Sequence, residues 1–254
     1  MVVCLPSATL YSEPQLFSEQ TDEMLYGDEV EILEEQGGFY RVRTDYGYAG
    51  WCVKQAVFEP LHKPEYYVTV PFADLLFEGK NYYHAPMSLP MGARLDYGPG
   101  HDGRYGLAVL PSKRVYFIHR NHVAPLSGIK TLTRAELRES IAQTALSYLG
   151  VQYRWGGRTH AGVDCSGLCF NACRFNGVDI WRDAEVEKTK NLKKIPLEEA
   201  QKGDLLFFEG HMALYLGGGK FVHASASAGK VIVSEIPQSE ELFEKFITAG
   251  DVVL

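Results

Sequence analysis

Gly162-Val163-Asp164-Cys165-Ser166-Gly167-Leu168 places a cysteine between two residues that commonly start helices. Asp164 and Ser166 are typical of helix N-termini, so we predict that Cys165 lies in the first turn of a helix. The unpaired N–H groups and the dipole of such a turn favour a thiolate over a thiol. Asn176-Gly177 ends the predicted helix, because glycine suits the left-handed cap. The pattern predicts a cysteine nucleophile.

Two histidines downstream can supply the base that this thiol needs. His211 begins an apolar run, and His223 follows the glycines Gly217-Gly218-Gly219, which predicts a β-hairpin. Side chains alternate between the faces of a strand, so the hairpin register decides whether the two imidazoles meet. We predict an odd-length loop of three glycines, which puts His223 opposite Ala213 and on the face of His211. A two-residue loop would separate the rings unless a bulge intervened.

The other cysteines and His160 have simpler interpretations. A lone cysteine is most often a small buried hydrophobe, and this is the prediction for Cys169 and Cys173. We expect His160 to be a solvated loop residue. Structural zinc sites favour two closely spaced pairs of cysteines, which the single series of Cys165, Cys169 and Cys173 does not supply. We therefore predict neither a metal nor a cofactor.

Composition and charge argue against several classes of function. The chain of 254 residues has a net charge of −7 and no basic patch, which argues against a nucleic-acid partner. No apolar run approaches the roughly 18 residues of a membrane span, so no membrane partner is expected. The first residues lack the features of a signal peptide, and five cysteines suit a reducing compartment. We expect a cytoplasmic protein, or an exported one if a leader is missing; nothing indicates an oligomeric state.

Residues 1–60 and 61–127 have the pattern of two small all-β units. In the first, β-like runs at 2–3, 29–33, 39–43 and 49–53 alternate with turns rich in glycine and aspartate, which is typical of a small barrel. Runs at 66–70, 105–111 and 115–118 indicate a second, divergent barrel. Pro60 and Pro64 mark the boundary between the two.

Residues 128–254 have the pattern of a third, mixed unit. Thr133-Arg134-Ala135-Glu136 is a capping box that begins a helix, and Gly150 ends it. Residues 178–194 are polar and predict a loop on the substrate side. Strands are predicted at 205–208, 212–216, 221–224, 231–234 and 251–254. The expected plan is α+β, with a helix bundle that includes the helix of Cys165 packed on an antiparallel sheet that carries His211.

The motifs of this unit resemble the NlpC/P60 cell-wall cysteine peptidases. The resemblance rests on Asp164-Cys165-Ser166-Gly167, His211-Met212-Ala213-Leu214-Tyr215-Leu216-Gly217 and Phe221-Val222-His223-Ala224, in that order and spacing. Tyr153-Arg154-Trp155-Gly156-Gly157-Arg158 and Gly203-Asp204-Leu205-Leu206-Phe207-Phe208 add to it. Residues 1–60 resemble bacterial SH3-like domains through the runs from Gly27, Phe39 and Gly47. The resemblance implies a papain-like catalytic domain preceded by SH3-like barrels.

The resemblance also implies roles in catalysis. Cys165 would be the nucleophile and His211 the general base, with His223 as the polar residue that orients His211. Tyr153 would lie beside the thiol, and the backbone N–H of Cys165 would help to hold the oxyanion. The implied substrate is a cell-wall peptide, cleaved between D-glutamate, through its γ-carboxyl, and an L-diamino acid.

Relatives with an N-terminal SH3-like domain resemble recycling enzymes for short muropeptides with a free N-terminal L-alanine. The resemblance implies that Glu23, Tyr48, Asp164 and Ser166 bind the ammonium of that alanine, which needs a carboxylate and hydrogen-bond acceptors. Glu185 is a departure, because the family often has a small hydroxyl residue in that run, and a charge there would alter the pocket. For Glu23 and Tyr48 the alternatives are a solvated turn carboxylate and barrel packing.

Two other classes of function stay open at this stage. A binding module would use the barrels to hold wall peptides while the third unit is inactive. An amidase or acyltransferase of the same fold would keep Cys165, His211 and His223 but act on a lipid or a small molecule. The intact set of three residues argues against the first class, and the lack of a membrane element argues against the second.

Overall fold

The computed structural model describes residues 1–77, 85–100, 103–190, 192–236 and 239–252, without the side chains of 129–131 and 240. Its internal contacts divide the chain into two compact units, Met1–Gly128 and Ile129–Leu254. In the described residues, no helix has both the length and the apolar character that a membrane crossing requires.

The first half of the first unit is a five-stranded antiparallel sheet with the order β3-β2-β6-β5-β4, accompanied by the two-stranded pair β1-β7. The strands are β1 (Val2–Val3), β2 (Ser7–Tyr11), β3 (Gln20–Leu25), β4 (Val30–Gln36), β5 (Phe39–Thr44), β6 (Ala49–Val53) and β7 (Val57–Phe58). Apolar residues from most of these strands form one core, including Val3, Leu10, Met24, Val42 and Cys52.

The second half of this unit has its own sheet and its own core. Its five-stranded sheet has the order β13-β12-β11-β8-β14, and β9 pairs with β10 beside it. The strands are β8 (Tyr66–Val68), β9 (Phe72–Leu75), β10 (Met87–Pro90), β11 (Arg94–Gly98), β12 (Tyr105–Val109), β13 (Val115–His119) and β14 (Val123–Pro125). The core includes Val68, Leu75, Leu89, Leu95 and Ile118.

The sequence prediction missed several of these strands, and β3 shows why. Its buried positions include Asp22 and Glu23, at 0% and 6% exposure, so it lacks the apolar alternation that indicates a strand. Asp22 accepts a hydrogen bond of 2.5 Å from the Tyr46 hydroxyl, which compensates for its burial. The predicted closure of the two barrels is not confirmed, because no pairing of the edge strands is seen in the described residues.

The second unit is one six-stranded antiparallel sheet with helices packed on it. The sheet has the order β17-β22-β18-β19-β20-β21, and a short pair β15-β16 precedes the second helix. The strands are β15 (Arg158–Thr159), β16 (Gly162–Val163), β17 (Lys193–Ile195), β18 (Leu205–Phe208), β19 (His211–Gly217), β20 (Lys220–Ser225), β21 (Lys230–Glu235) and β22 (Phe246–Asp251). The helices are α1 (Arg134–Leu146), α2 (Cys165–Arg174) and α3 (Glu240–Phe243). Because α1 and α2 are the only α-helices of more than four residues in the part of the chain that the structure describes, the predicted helix bundle is not confirmed.

Helix α1 begins as the sequence predicts and is then tied to the sheet by charge. The capping box is formed: Thr133 accepts from the backbone N–H of Glu136, and Glu136 accepts from that of Thr133. One turn on, the buried Arg138 donates to Asp204 at 2.5 Å and to Asp251 at 2.7 Å. These two carboxylates precede β18 and end β22, so the three groups fix α1 against the sheet.

The hairpin of β19 and β20 has a different loop from the predicted one. The prediction of a three-glycine loop is wrong, because the strands continue to the pair Gly217–Lys220 and leave Gly218-Gly219 as a two-residue turn. These two glycines have φ of 60° and 74°, which is the left-handed region that such turns require. A register shift between Tyr215 and Gly217 adds one residue to β19 and restores the parity. The pairing Tyr215–Phe221 below it belongs to the predicted register.

Candidate active site

Cys165 is the first residue of α2, and Asp164 is its N-cap, as predicted. The cysteine is only 6% exposed, and this burial, together with the charge of Asp164, raises the pKa of its thiol above the ordinary value of 9.0. Backbone N–H groups of Met212 and Ser166 act in the opposite direction on the same pKa but do not outweigh burial. Burial is thus the largest influence on this pKa, and the thiolate expected from the helix terminus stays a prediction.

Asp164 is held by an arginine that the sequence analysis did not single out. The guanidinium of Arg182, 1% exposed, donates to both carboxylate oxygens of Asp164 at 3.0 and 3.0 Å. It also donates to the Ser166 hydroxyl at 2.9 Å. The carboxylate further accepts backbone N–H groups of Gly167 at 2.6 Å and Gly156 at 2.7 Å. Both Asp164 and Ser166 are thus committed to the start of α2, and their predicted contact with a substrate ammonium stays a prediction.

Gly167 is required by the close packing around this pair. A Cβ at this position would overlap the backbone carbonyl oxygen of Gly157 and lie 2.8 Å from Oδ1 of Asp164. Real Cβ atoms do not approach a backbone oxygen so closely. Gly157 and Gly167 therefore pack directly on each other. Both belong to the motifs around Tyr153 and Cys165 that the sequence analysis quotes.

His211 and His223 meet, as the sequence predicts. Nε2 of His211 lies 2.9 Å from Nδ1 of His223, and the ring planes are nearly perpendicular at 83°. Phe208 packs against His211 and Phe221 against His223, with ring centroids 5.8 and 5.1 Å apart. This apolar surrounding disfavours the charged form and lowers the pKa of each imidazole to about 4.

Burial thus favours the uncharged form of the thiol and of both imidazoles. Nε2 of His211 is committed to His223, so Nδ1 is the nitrogen left to accept the thiol proton. Met212, whose N–H contacts the sulfur, directly follows His211 on β19. The arrangement can carry out general-base activation of a thiol.

Ser234 adds a fourth polar group to Cys165, His211 and His223. Its hydroxyl oxygen lies 3.1 Å from Nε2 of His223, on the neighbouring strand β21. The prediction placed a strand at 231–234 but gave Ser234 no role. The available signal for Ser234 was its lone hydroxyl in an otherwise apolar run. The available signal for the ion pair with Asp164 was Arg182, which directly precedes Asp183-Ala184-Glu185.

Tyr153 is electrostatically coupled to the thiol of Cys165. Burial, together with the charges of Cys165 and Asp164, raises the pKa of its phenol to about 12, so the hydroxyl keeps its proton. A bridge between Tyr153 and Val163 brings it to the entry of α2. Its role as a second oxyanion donor stays a prediction.

His160 is not the solvated loop residue that we expected. Its ring stacks on Tyr148, with centroids 3.8 Å apart and planes at 23°. Burial lowers the pKa of this imidazole to about 4. Tyr148 in turn accepts a hydrogen bond from Asn171 of α2 at 3.1 Å, so His160 is connected to α2 through Tyr148.

The other predicted substrate-binding residues lie in different surroundings. Glu185 is 47% exposed at its side chain and forms an ion pair of 2.9 Å with Lys188. In the first unit, Glu23 is buried on β3 opposite Thr9. There Tyr48 packs on the core and donates to the carbonyl of Thr21 at 3.4 Å. Substrate binding by these three residues stays a prediction.

Two parts of the sequence match known families. Residues 6–57 match the bacterial SH3 domain, and residues 150–250 match the NlpC/P60 family. A relative that is 36% identical over 96% of this chain and 94% of its own length is the dipeptidyl-peptidase 6 of Lysinibacillus sphaericus. The chain belongs to the NlpC/P60 family, which confirms the resemblance read from its motifs.

A second relative and a solved structure agree with this assignment. The γ-D-glutamyl-L-lysine dipeptidyl-peptidase of Bacillus subtilis is 30% identical over 89% of this chain and 79% of its own length. A crystal structure of an NlpC/P60 family protein from Bacillus cereus is 19% identical, with a TM-score of 0.83 over 100% of this chain and 99% of that one. At this identity the likeness shows the fold: an NlpC/P60 domain with an SH3-like domain.

Proposed function

We propose that this chain is a cysteine peptidase that cleaves peptidoglycan peptides between γ-D-glutamate and an L-diamino acid. The observation that carries the proposal is the hydrogen-bonded pair His211–His223 on the sheet whose Met212 N–H contacts the Cys165 sulfur. The bond specificity is supported by the similarity to the γ-D-glutamyl-L-lysine dipeptidyl-peptidase of Bacillus subtilis.

In the proposed reaction Nδ1 of His211 takes the thiol proton while the sulfur of Cys165 attacks the γ-carbonyl carbon. The carbonyl electrons move onto oxygen, and donors at the first turn of α2 stabilise the oxyanion. The C–N bond then breaks, His211 returns the proton to the leaving amine, and a thioester remains. A water molecule attacks the thioester with His211 as base, the C–S bond breaks, and the thiol is restored.

The proposed substrate is a short muropeptide with a free N-terminal L-alanine. Glu23 and Tyr48 are the proposed ligands of its ammonium. An ammonium removed from water needs a carboxylate partner, and Glu23 is a buried carboxylate in the SH3-like half of the first unit. The test compares hydrolysis of the free and the N-acetylated peptide by the wild type and by Glu23→Gln. Equal activity on both peptides by the wild type would remove the ammonium requirement.

The central experiment is mass spectrometry of products from L-Ala-γ-D-Glu peptides that end in L-lysine or in a second diamino acid. We expect release of L-Ala-D-Glu and the free diamino acid by the wild type, and no release by Cys165→Ala. Circular dichroism checks that the variant is folded. If Cys165→Ala kept a tenth of the wild-type rate, the cysteine mechanism would be wrong. Binding of the peptide without hydrolysis would instead indicate a binding module, and cleavage of acyl substrates alone an amidase or acyltransferase.

Localisation in a reducing compartment is part of the proposal. All five cysteines are free thiols. Two of them, Cys169 and Cys173, follow Cys165 in α2 and are fully buried. Cell fractionation with an antibody to the chain tests it. Recovery of the protein outside the cytoplasm would contradict this part alone.

A further inference from the structure

Ser234 and His223 are brought together by the register of two strands. His223 of β20 is paired with Ile232 of β21, and Ser234 is paired with Phe221, so the two side chains are diagonal neighbours on one face. The hydroxyl oxygen of Ser234 is 3.1 Å from Nε2 of His223. A series of polar contacts thus runs from Ser234 through the imidazole of His223 to His211. In its second contact, Nδ1 of His223 lies 2.9 Å from Nε2 of His211.

The protons along this series can be arranged in two ways. For His211 to accept the thiol proton, its Nδ1 must carry a lone pair, so its proton sits on Nε2 and is donated to Nδ1 of His223. His223 must then carry its own proton on Nε2, where the only need is an acceptor. In the opposite arrangement His223 donates from Nδ1, and the proton of His211 moves to Nδ1, where it blocks the base.

Packing around His223 excludes bulk water, so a protein group decides which tautomer its imidazole adopts. Phe221 packs on its imidazole at 5.1 Å, and the residue is 7% exposed, so bulk water has little access to Nε2. A neutral hydroxyl accepts the Nε2–H without drawing the proton from the ring, as a carboxylate in this apolar surrounding would tend to do.

We propose that Ser234 is a positioning residue that holds His223 in its Nε2–H tautomer and thereby keeps Nδ1 of His211 free to act as the base. This rests on the proposed function, because it assigns a role within that mechanism. Ser234 touches neither the thiol nor the substrate in this scheme and acts through His223 alone.

The test uses Ser234→Thr and Ser234→Val, two variants of nearly equal shape that suit a strand equally and differ in one hydroxyl. We expect Ser234→Thr to keep kcat within about threefold. We expect Ser234→Val to lose about tenfold or more in kcat with KM unchanged, since only part of the molecules keep a competent base. Thermal unfolding of the two variants should coincide.

Nitrogen-15 NMR of histidine-labelled protein reads the tautomer directly and needs no substrate. The wild type and Ser234→Thr should show His223 protonated at Nε2, and Ser234→Val should show a shift of the proton to Nδ1. A wild-type His223 protonated at Nδ1, or equal kcat and equal tautomers in the two variants, would overturn the inference. A wild type that cleaves no L-Ala-γ-D-Glu peptide would instead overturn the proposed function, while the NMR result would still decide the tautomer.

Discussion

Arg182 and Asp164 form a buried, two-contact ion pair at the first turn of α2, with both N–O distances at 3.0 Å. Their side chains are 1% and 8% exposed, so neither charge is screened by water. The same carboxylate caps the helix through the N–H of Gly167. The position of Cys165 therefore depends on a residue 17 positions further along the chain, since Arg182 fixes the cap that precedes it.

Replacement of Arg182 by methionine should destabilise the protein and reduce the reactivity of the thiol. Removal of one partner of a buried pair leaves the Asp164 charge uncompensated, at about 3 kcal/mol or more. The Arg182 charge also lowers the pKa of Cys165, so its loss should raise that pKa further. Urea unfolding and the pH dependence of iodoacetamide alkylation measure the two effects.

Lys188→Met is the matched control for this variant. Lys188 also forms an ion pair, with Glu185 at 2.9 Å, but the two side chains are 54% and 47% exposed. Surface pairs of this kind contribute about 0–1 kcal/mol. Equal destabilisation by Arg182→Met and Lys188→Met would contradict the special role of the buried pair.

Gly167→Ala should damage the same turn without any change of charge. The added methyl would overlap the carbonyl oxygen of Gly157, and neither backbone can move freely because Asp164 is bonded to both segments. Overpacking of this kind costs about 1–3 kcal/mol. We expect a lower Tm and a loss of peptide hydrolysis. Gly38→Ala is the matched control, because Gly38 also has no positive φ and a Cβ there meets nothing within 4 Å.

The protein should lose stability on mild acidification through its histidines. Burial lowers the pKa of His160, His211 and His223 to about 4 from the ordinary value of 6.5. Between these two pH values the unfolded chain binds protons that the folded chain does not, so the free energy of unfolding falls as the pH falls from 6.5 to about 4. Below that range these three groups are protonated in both states and add no further loss.

Urea unfolding at several pH values between 4.5 and 7.5 measures this slope. His160→Gln removes one of the three groups away from the imidazole pair, so it should make the slope shallower without changing the pH dependence of hydrolysis. A stability that stays constant or rises on acidification through this range would mean that the three imidazoles are not held neutral by burial.

Tyr153→Phe should lower kcat with little effect on stability. The pKa of this phenol is raised to about 12, so its hydroxyl is a hydrogen-bond donor at every pH at which the site works. Loss of one donor to an oxyanion lowers kcat by about 100-fold or more where the donor contacts it directly. Steady-state kinetics on the γ-D-glutamyl peptide decide between this and an unchanged kcat, which would place Tyr153 outside the oxyanion site.

The local motifs determined a large part of this protein. The capping box at Thr133 and the cap at Asp164 act within one helical turn, so the sequence alone predicts α1 and the first turn of α2. Alternation of side chains predicts that His211 and His223 share a face only in the register of the pair Tyr215–Phe221, which the register shift in β19 makes possible. Strands with buried acids, such as β3, escaped the same reasoning because their pattern is not apolar.

Tertiary structure decided what the motifs could not. The partner of Asp164 and the partner of His223 come from segments distant in sequence, and only packing selects Arg182 and Ser234 among the many arginines and serines. The loop of the hairpin was decided by a bulge in β19, which local glycine content does not specify. The directions in which the pKa values of Cys165 and the two imidazoles shift follow from burial. Burial is a property of the folded chain, because it depends on which side chains exclude water from each group.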